Sequence, residues 1–263
     1  MPPRLIDIGV NLTHKSFRPD QKDVIERAIA AGVEQMIVTG ANVRGSREAA
    51  QLARAYPGWL YCTAGVHPHN ARECDADTLK HLRELARQPQ VVAIGECGLD
   101  YDRDFSPRAF QDRWFEAQVQ LACELNLPLF LHEREAHKRF VEILARYRKQ
   151  FDVAVVHCFT SDAEALDRYL ALDLHIGITG WICDERRGRP LRGLVGRIPL
   201  QRLMLETDAP FLTPRTLPAQ PRRGRNEPAF LPYVLRTVAQ CMAKSPEEVA
   251  EATTKTARTF FRI

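Results

Sequence analysis

The stretch Val91-Val92-Ala93-Ile94-Gly95-Glu96-Cys97-Gly98-Leu99 begins as an unbroken apolar run and ends on a carboxylate set between glycines. A strand that is apolar on both faces belongs to a parallel sheet covered by helices on either side. Val153-Ala154-Val155-Val156 repeats the pattern. Working outward from these two, strands are expected over 5–12, 35–40, 60–66, 91–99, 128–133, 152–159, 174–181 and 203–208. The segments between them have helical period. Val24, Ile25, Ala28 and Ile29 form one apolar stripe, closed by Gly32, and Phe110, Trp114, Leu121 and Leu125 form another. Eight strands alternating with helices in 263 residues match a (β/α)8 TIM barrel. A doubly wound sheet would carry a Gly-rich turn after its first strand. This chain reads Gly9-Val10-Asn11-Leu12-Thr13-His14 there. The expectation is an α/β chain forming one barrel domain over residues 1–263.

Composition narrows the class. With 45% hydrophobic and 27% charged residues the chain is globular in make-up. No run approaches the ~18–20 apolar residues of a membrane helix, and Asp7 interrupts the N-terminus before any block of signal-peptide length. Seven cysteines, an odd number without paired spacing, suit a reducing cytoplasm. The expectation is therefore a cytoplasmic protein with no membrane partner and no obligate protein partner. A net charge of +4 is too small to indicate a nucleic-acid binder. Only seven of the 37 basic residues are lysine; arginine suits phosphate recognition, and a GC-rich coding sequence produces the same bias.

In a barrel the chemistry gathers at the C-terminal strand ends. Those ends are Asn11, Gly40, His67, Glu96, His132, His157, Gly180 and Asp208, about one βα unit apart. Five of the eight carry His, Glu or Asp, which is a metal-site pattern. Two imidazoles and a carboxylate with open positions make a hydrolytic centre, and Glu96, His132 and His157 supply that set. Such a centre lowers the pKa of its water and polarises the bond under attack. Asp208 is expected as general base or further ligand. His67 and His69 follow strand three, where a substrate phosphate would be met, or they hydrogen-bond their own loop. Arg134 pairs either with Glu206, or an equivalent carboxylate, or with substrate. Arg222-Arg223-Gly224-Arg225 is the densest basic cluster, on the active face, where Arg225 is either a phosphate contact or part of a solvated charged loop. Tyr101 and Trp181 either stack on a base or pack. Asn226 is expected to cap a helix. Cys97 and Cys158 are read as packing, and His14, His81, His137 and His175 fall outside the site.

Gly95-Glu96-Cys97-Gly98-Leu99-Asp100 resembles the TatD-type deoxyribonuclease motif G-E-[IC]-G-L-D. Leu131-His132-Glu133-Arg134, Val156-His157-Cys158-Phe159-Thr160 and Leu205-Glu206-Thr207-Asp208-Ala209-Pro210 resemble the motifs that follow it. Gly65-Val66-His67-Pro68-His69 and Arg225-Asn226-Glu227-Pro228 are also similar to signatures of that family, in family order. The resemblance implies a distorted (β/α)8 barrel and divalent-metal-dependent hydrolysis of DNA phosphodiesters. In the TatD branch it implies 3′→5′ exonuclease action on single-stranded DNA, with RNA as a further substrate, and a role in DNA repair or degradation. It implies Mg2+ as the ion; imidazole donors favour Mn2+ or Zn2+. Carried over by position, Glu96, His132 and His157 are ligands and Asp208 is catalytic or a ligand. One departure matters: most relatives end strand one with H-x-H, and this chain has Gly9-Val10-Asn11. One firmly held metal is therefore expected, with a second weak or absent, and Asn11 is left as a substrate contact. The alternatives are an amide or ester hydrolase such as an aminoacyl-tRNA deacylase, and a non-catalytic nucleic-acid-binding barrel.

Overall fold

The computed structural model describes residues 3–263, apart from the side chain of Arg222. In chain order the strands and α-helices are β1 (Leu5–Val10), α1 (Gln21–Ala30), β2 (Val33–Val38), α2 (Val43–Ala55), β3 (Leu60–Ala64), α3 (Thr78–Ala86), β4 (Val91–Asp100), α4 (Arg108–Leu125) and β5 (Leu129–Arg134). They continue with α5 (His137–Tyr147), β6 (Ala154–Val156), α6 (Ala163–Ala171), β7 (His175–Ile178), α7 (Arg189–Leu194), β8 (Leu203–Leu205), α8 (Leu231–Cys241) and α9 (Pro246–Phe261). The strands follow one another in the sheet in sequence order, β1 to β8. The pairs β1–β2, β3–β4, β4–β5, β5–β6 and β7–β8 are parallel. This is the strand order of a (β/α)8 barrel.

All eight expected strands form, several shorter at their C-terminal ends than the apolar runs that announce them. The last residues of those runs leave the ladder and become the loops that carry the polar side chains. Among the described residues no helix is long and apolar enough to cross a membrane.

The chain divides into two compact units. The first comprises residues up to Val38, Cys158–Ala163 and Ile176–Ile263. Every residue of β1 is buried, as a doubly covered strand requires. Of the α1 stripe Val24, Ile25, Ala28 and Ile29, the first three are buried and Ile29 is half-buried, and Gly32 at φ +93° turns the chain into β2. Asn226 is not a helix cap. It is fully buried, its Nδ2 donating to Thr207 O (3.0 Å) and Phe211 O (2.6 Å), and α8 starts only at Leu231.

The second unit comprises Thr39–His157 and Glu164–His175. Its longest strand, β4, is buried along all ten residues. The α4 stripe differs from the apolar reading, since Phe110 lies exposed in the first turn while Gln111 and Gln118 are buried. These two amides replace absent ladder partners. Gln118 Oε1 accepts from Val66 N (2.7 Å) and its Nε2 donates to Val66 O (3.1 Å). Gln111 does the same for Asp100 N (2.8 Å) and Asp100 O (3.1 Å). Buried backbone polar groups need such partners, so α4 fixes the C-terminal exits of β3 and β4.

Candidate metal centre

The carboxylate of Glu96 owes its position to two glycines. The Cβ of any other residue at Gly95 would lie 2.1 Å from Phe130 O, and at Gly98 1.8 Å from His132 O. Both glycines have positive φ, +143° and +148°. With no side chain there, β4 lies directly against β5, the strand bearing His132. The register shifts between Gly95 and Cys97, so Glu96 stands outside the one-to-one pairing, and its N–H donates to Gly40 O (2.8 Å). A bulge of this kind re-aims a side chain beside a functional site.

Three imidazoles meet one oxygen of that side chain. Glu96 Oε1 lies 2.7 Å from His157 Nε2, 3.0 Å from His132 Nδ1 and 3.3 Å from His67 Nε2. The donor atoms of His67, Glu96 and His132 all fall within 4.8 Å of one another. His67 thus joins the carboxylate that Glu96, His132 and His157 were expected to share, rather than standing apart as a phosphate contact. His69 lies beside it, its ring centroid 4.2 Å from that of His67, and pairs with Asp100 Oδ2 at 2.7 Å.

Electrostatics follow from this packing. Burial alone would raise the Glu96 pKa, but His67, His157 and His132 outweigh it and hold the carboxyl well below its ordinary value. Burial lowers His67 to about 4 despite the attraction of Glu96. For His132 burial again opposes charge, yet the nearby Asp100 carboxylate and the hydrogen bond with Glu96 prevail and raise its pKa. Asp100 is lowered against its own burial by the nearby His132 imidazole and the hydrogen bond with His69. The centre therefore holds anionic carboxylates amid close-packed imidazoles.

A divalent metal fits this arrangement. His132 Nε2 is buried without a hydrogen-bond partner, its nearest carboxylate oxygen, Asp100 Oδ2, being 3.6 Å away. An orphaned buried nitrogen is costly, and imidazoles gathered on one carboxylate are the donors that Zn2+, Mn2+ and related ions accept.

The remaining expected residues have other partners. In the first unit, Asn11 Nδ2 donates to Asp208 Oδ1 (2.9 Å), and Asp208 N donates to Gly9 O (2.8 Å). Asp208 follows β8 at φ +52°, a left-handed conformation that the surroundings must enforce. Arg225 is saturated inside the protein. Its Nη1 donates to Ser16 O (2.8 Å) and Asp20 Oδ1 (2.7 Å), and its Nη2 to Asp20 Oδ2 (2.7 Å) and Glu227 Oε1 (2.8 Å). Glu206 accepts from Cys158 N, while Arg134, in the second unit, pairs with Asp102 (2.8 Å) and not with Glu206. The ring of Tyr101 is covered by Arg108 and its hydroxyl donates to Asp112; Trp181 is covered by Arg187. The sequence reading missed Asp100, Gln111 and Gln118. The family-like motif ends on Asp100, which was the one available signal for it.

The model of TatD related DNases matches residues 6–262 of the chain. The chain is 49% identical over 259 residues to the 3′-5′ ssDNA/RNA exonuclease TatD of Pantoea vagans (strain C9-1), covering 98% of this chain and 100% of that protein. Among solved structures it resembles a TatD homolog from Escherichia coli K12, with 28% identity, a TM-score of 0.89 and full coverage of both chains. An uncharacterized amidohydrolase from Saccharomyces cerevisiae is 27% identical, with a TM-score of 0.88 over 98% of this chain and 100% of that one.

Proposed function

The chain belongs to the TatD related DNase family and is a hydrolytic nuclease; from that premise we propose that the Glu96 centre serves removal of nucleotides from the 3′ end of single-stranded DNA, with RNA as a second substrate. One observation carries the assignment of the site: a single buried carboxylate oxygen within 2.7–3.3 Å of three imidazole nitrogens. Glu96, His132, His157 and His67 would hold the ion in this reading, Mg2+ in function with Mn2+ or Zn2+ as substitutes, in one firmly held position. When bound, such an ion supplies Lewis acidity at the scissile phosphodiester.

The side chains have separate tasks. Asp100 keeps His69 oriented through its 2.7 Å pairing, its other oxygen anchored by the N–H groups of Asp102 (3.1 Å) and Arg103 (2.9 Å). An imidazole fixed in this way by a carboxylate holds its rotamer. Gln118 locks the exit of β3 and with it the loop of His67. Asp208 is the proton acceptor for the attacking water in this reading, and Asn11 orients its carboxylate by donating to one oxygen. His69, beside His67 and paired with Asp100, is the imidazole left to meet an incoming phosphate in this reading. Residues 1–263 are taken as one functional domain acting in the cytoplasm, in DNA repair or degradation.

The test is a time course on 3′-labelled and 5′-labelled single-stranded oligonucleotides with Mg2+, Mn2+, Zn2+ or EDTA, with Glu96→Ala as the paired control. Metal-dependent release of 3′ mononucleotides, absent in the variant, is the expected result. Hydrolysis of an aminoacyl ester without release of nucleotides would overturn it.

A further inference from the structure

Phe105 is 54% exposed, on the loop joining β4 to α4. Exposure of a large apolar ring usually accompanies a loose loop, but this loop is pinned on both sides of the residue. Before it, Arg108 grips the Asp104 carboxylate at 2.8 Å and donates to Tyr101 O at 3.1 Å. After it, Ser106 is fully buried, its Oγ donating to His69 O (2.8 Å) and accepting from Arg72 N (3.1 Å). Gln111 Nε2 completes the clamp on Ser106 O at 2.8 Å. A well-held backbone therefore presents a ring whose exposure gives folding nothing.

That ring is the outer member of an aromatic series leading to the metal centre. Phe105 meets His69 edge-on, centroids 4.7 Å apart at 67°. His69 meets His67 at 4.2 Å and His67 meets His132 at 4.4 Å. The neighbouring aromatic that sequence alone suggests for stacking, Tyr101, has its face taken by Arg108. Arg103, more than half exposed on the same loop, lies 3.8 Å from the Asp102 carboxylate. An exposed aromatic held on a fixed backbone is a surface that binds single-stranded nucleic acid without regard to sequence, because every base has a π-face.

We propose that Phe105 is the stacking platform for a nucleobase adjoining the cleaved bond, a positioning residue that holds the strand end at the Glu96 centre. The proposal rests on the nuclease reading above and adds to it the group that recognises the base.

The test separates the two. Affinity is measured by fluorescence anisotropy in Mg2+, using a strand whose 3′ linkages are phosphorothioates, and a matched strand abasic at its last two positions. Phe105→Ala should weaken the normal strand roughly tenfold and leave the abasic strand unchanged, as loss of one base–aromatic stack predicts. Phe105→Trp should restore binding. Trp59→Ala, which removes another exposed aromatic just before the start of β3, should change neither. Equal weakening of both strands, or none, would overturn the platform. Mononucleotide release from an unmodified strand in Mn2+ is followed in parallel. Release that persists while Phe105→Ala binds normally rejects the platform alone. Absence of release together with a base-dependent loss of binding rejects the nuclease reading and retains the platform.

Discussion

The strand ends of the two units carry similar residues and use them oppositely. In the second unit, His67, Glu96, His132 and His157 converge on one carboxylate oxygen and leave His132 Nε2 buried without a partner. In the first, polar groups bind one another. Asp7 is fully buried and takes the N–H (2.9 Å) and hydroxyl (2.5 Å) of Thr207, Asn226 ties Thr207 O to Phe211 O, and Arg225 joins Asp20 to Glu227. Burial lifts the Asp7 pKa to about 8 against those hydrogen bonds. Polar residues at a barrel's strand ends are thus not a uniform catalytic rim. Where their hydrogen bonds close among themselves they hold the chain, and where one is left open they await a ligand.

The largest effect should come from breaking the open cluster. Glu96→Gln keeps the volume and removes the charge around which three imidazoles are arranged. Turnover should fall ~10³-fold, the scale expected when electrostatic stabilisation at a reacting centre is lost. Isothermal titration with Mn2+ should show weakened binding in the same variant. Nucleotide release within tenfold of the parent would show that the convergence is structural and erase the contrast between the units.

Asp208 tests which class its own strand end belongs to. Asp208→Asn retains the shape and can still pair with Asn11. A base role predicts a loss of turnover of ~10²-fold with Mn2+ affinity little changed. Unaltered turnover with a lower unfolding midpoint would move Asp208 into the group that only holds the chain.

Gln118→Met should be felt in stability first. It leaves Val66 N–H and C=O buried without their partners, which costs about 2–3 kcal/mol, read from urea unfolding. The loop carrying His67 loses its anchor with them, so metal affinity should drop in parallel. A stability loss without that drop would show that the anchor and the centre are independent.

What sequence could show follows the same division. The strands and the set Glu96, His132 and His157 were legible because a barrel imposes one period on its strand ends, and the residues fall in that phase. Gln111 and Gln118 were not, because a stripe built from apolar residues counts a buried amide as polar and sends it to solvent. Arg225 read as a phosphate contact because its partner Asp20 lies 205 positions earlier in the chain. Phe105 and Tyr101 are four apart in one loop, and nothing local tells which ring Arg108 covers.

The smallest effect concerns that arginine. Hydrogen bonds from Arg225 hold the Asp20 pKa at about 2 against an ordinary 3.8, with Arg27 adding to the same direction. A depressed carboxyl contributes stability in full above its unfolded value and loses it as pH falls through the folded one. Arg225→Ala should therefore cost about 1–2 kcal/mol at pH 7. The difference from the parent should close as pH falls below 4 toward 2, as followed by urea unfolding across that range. Because the guanidinium is already spent on Ser16, Asp20 and Glu227, the salt dependence of strand binding should be unchanged in this variant. A salt slope reduced by about one unit would instead mark Arg225 as a phosphate contact, and would show that a closed network in the first unit can open to meet the substrate.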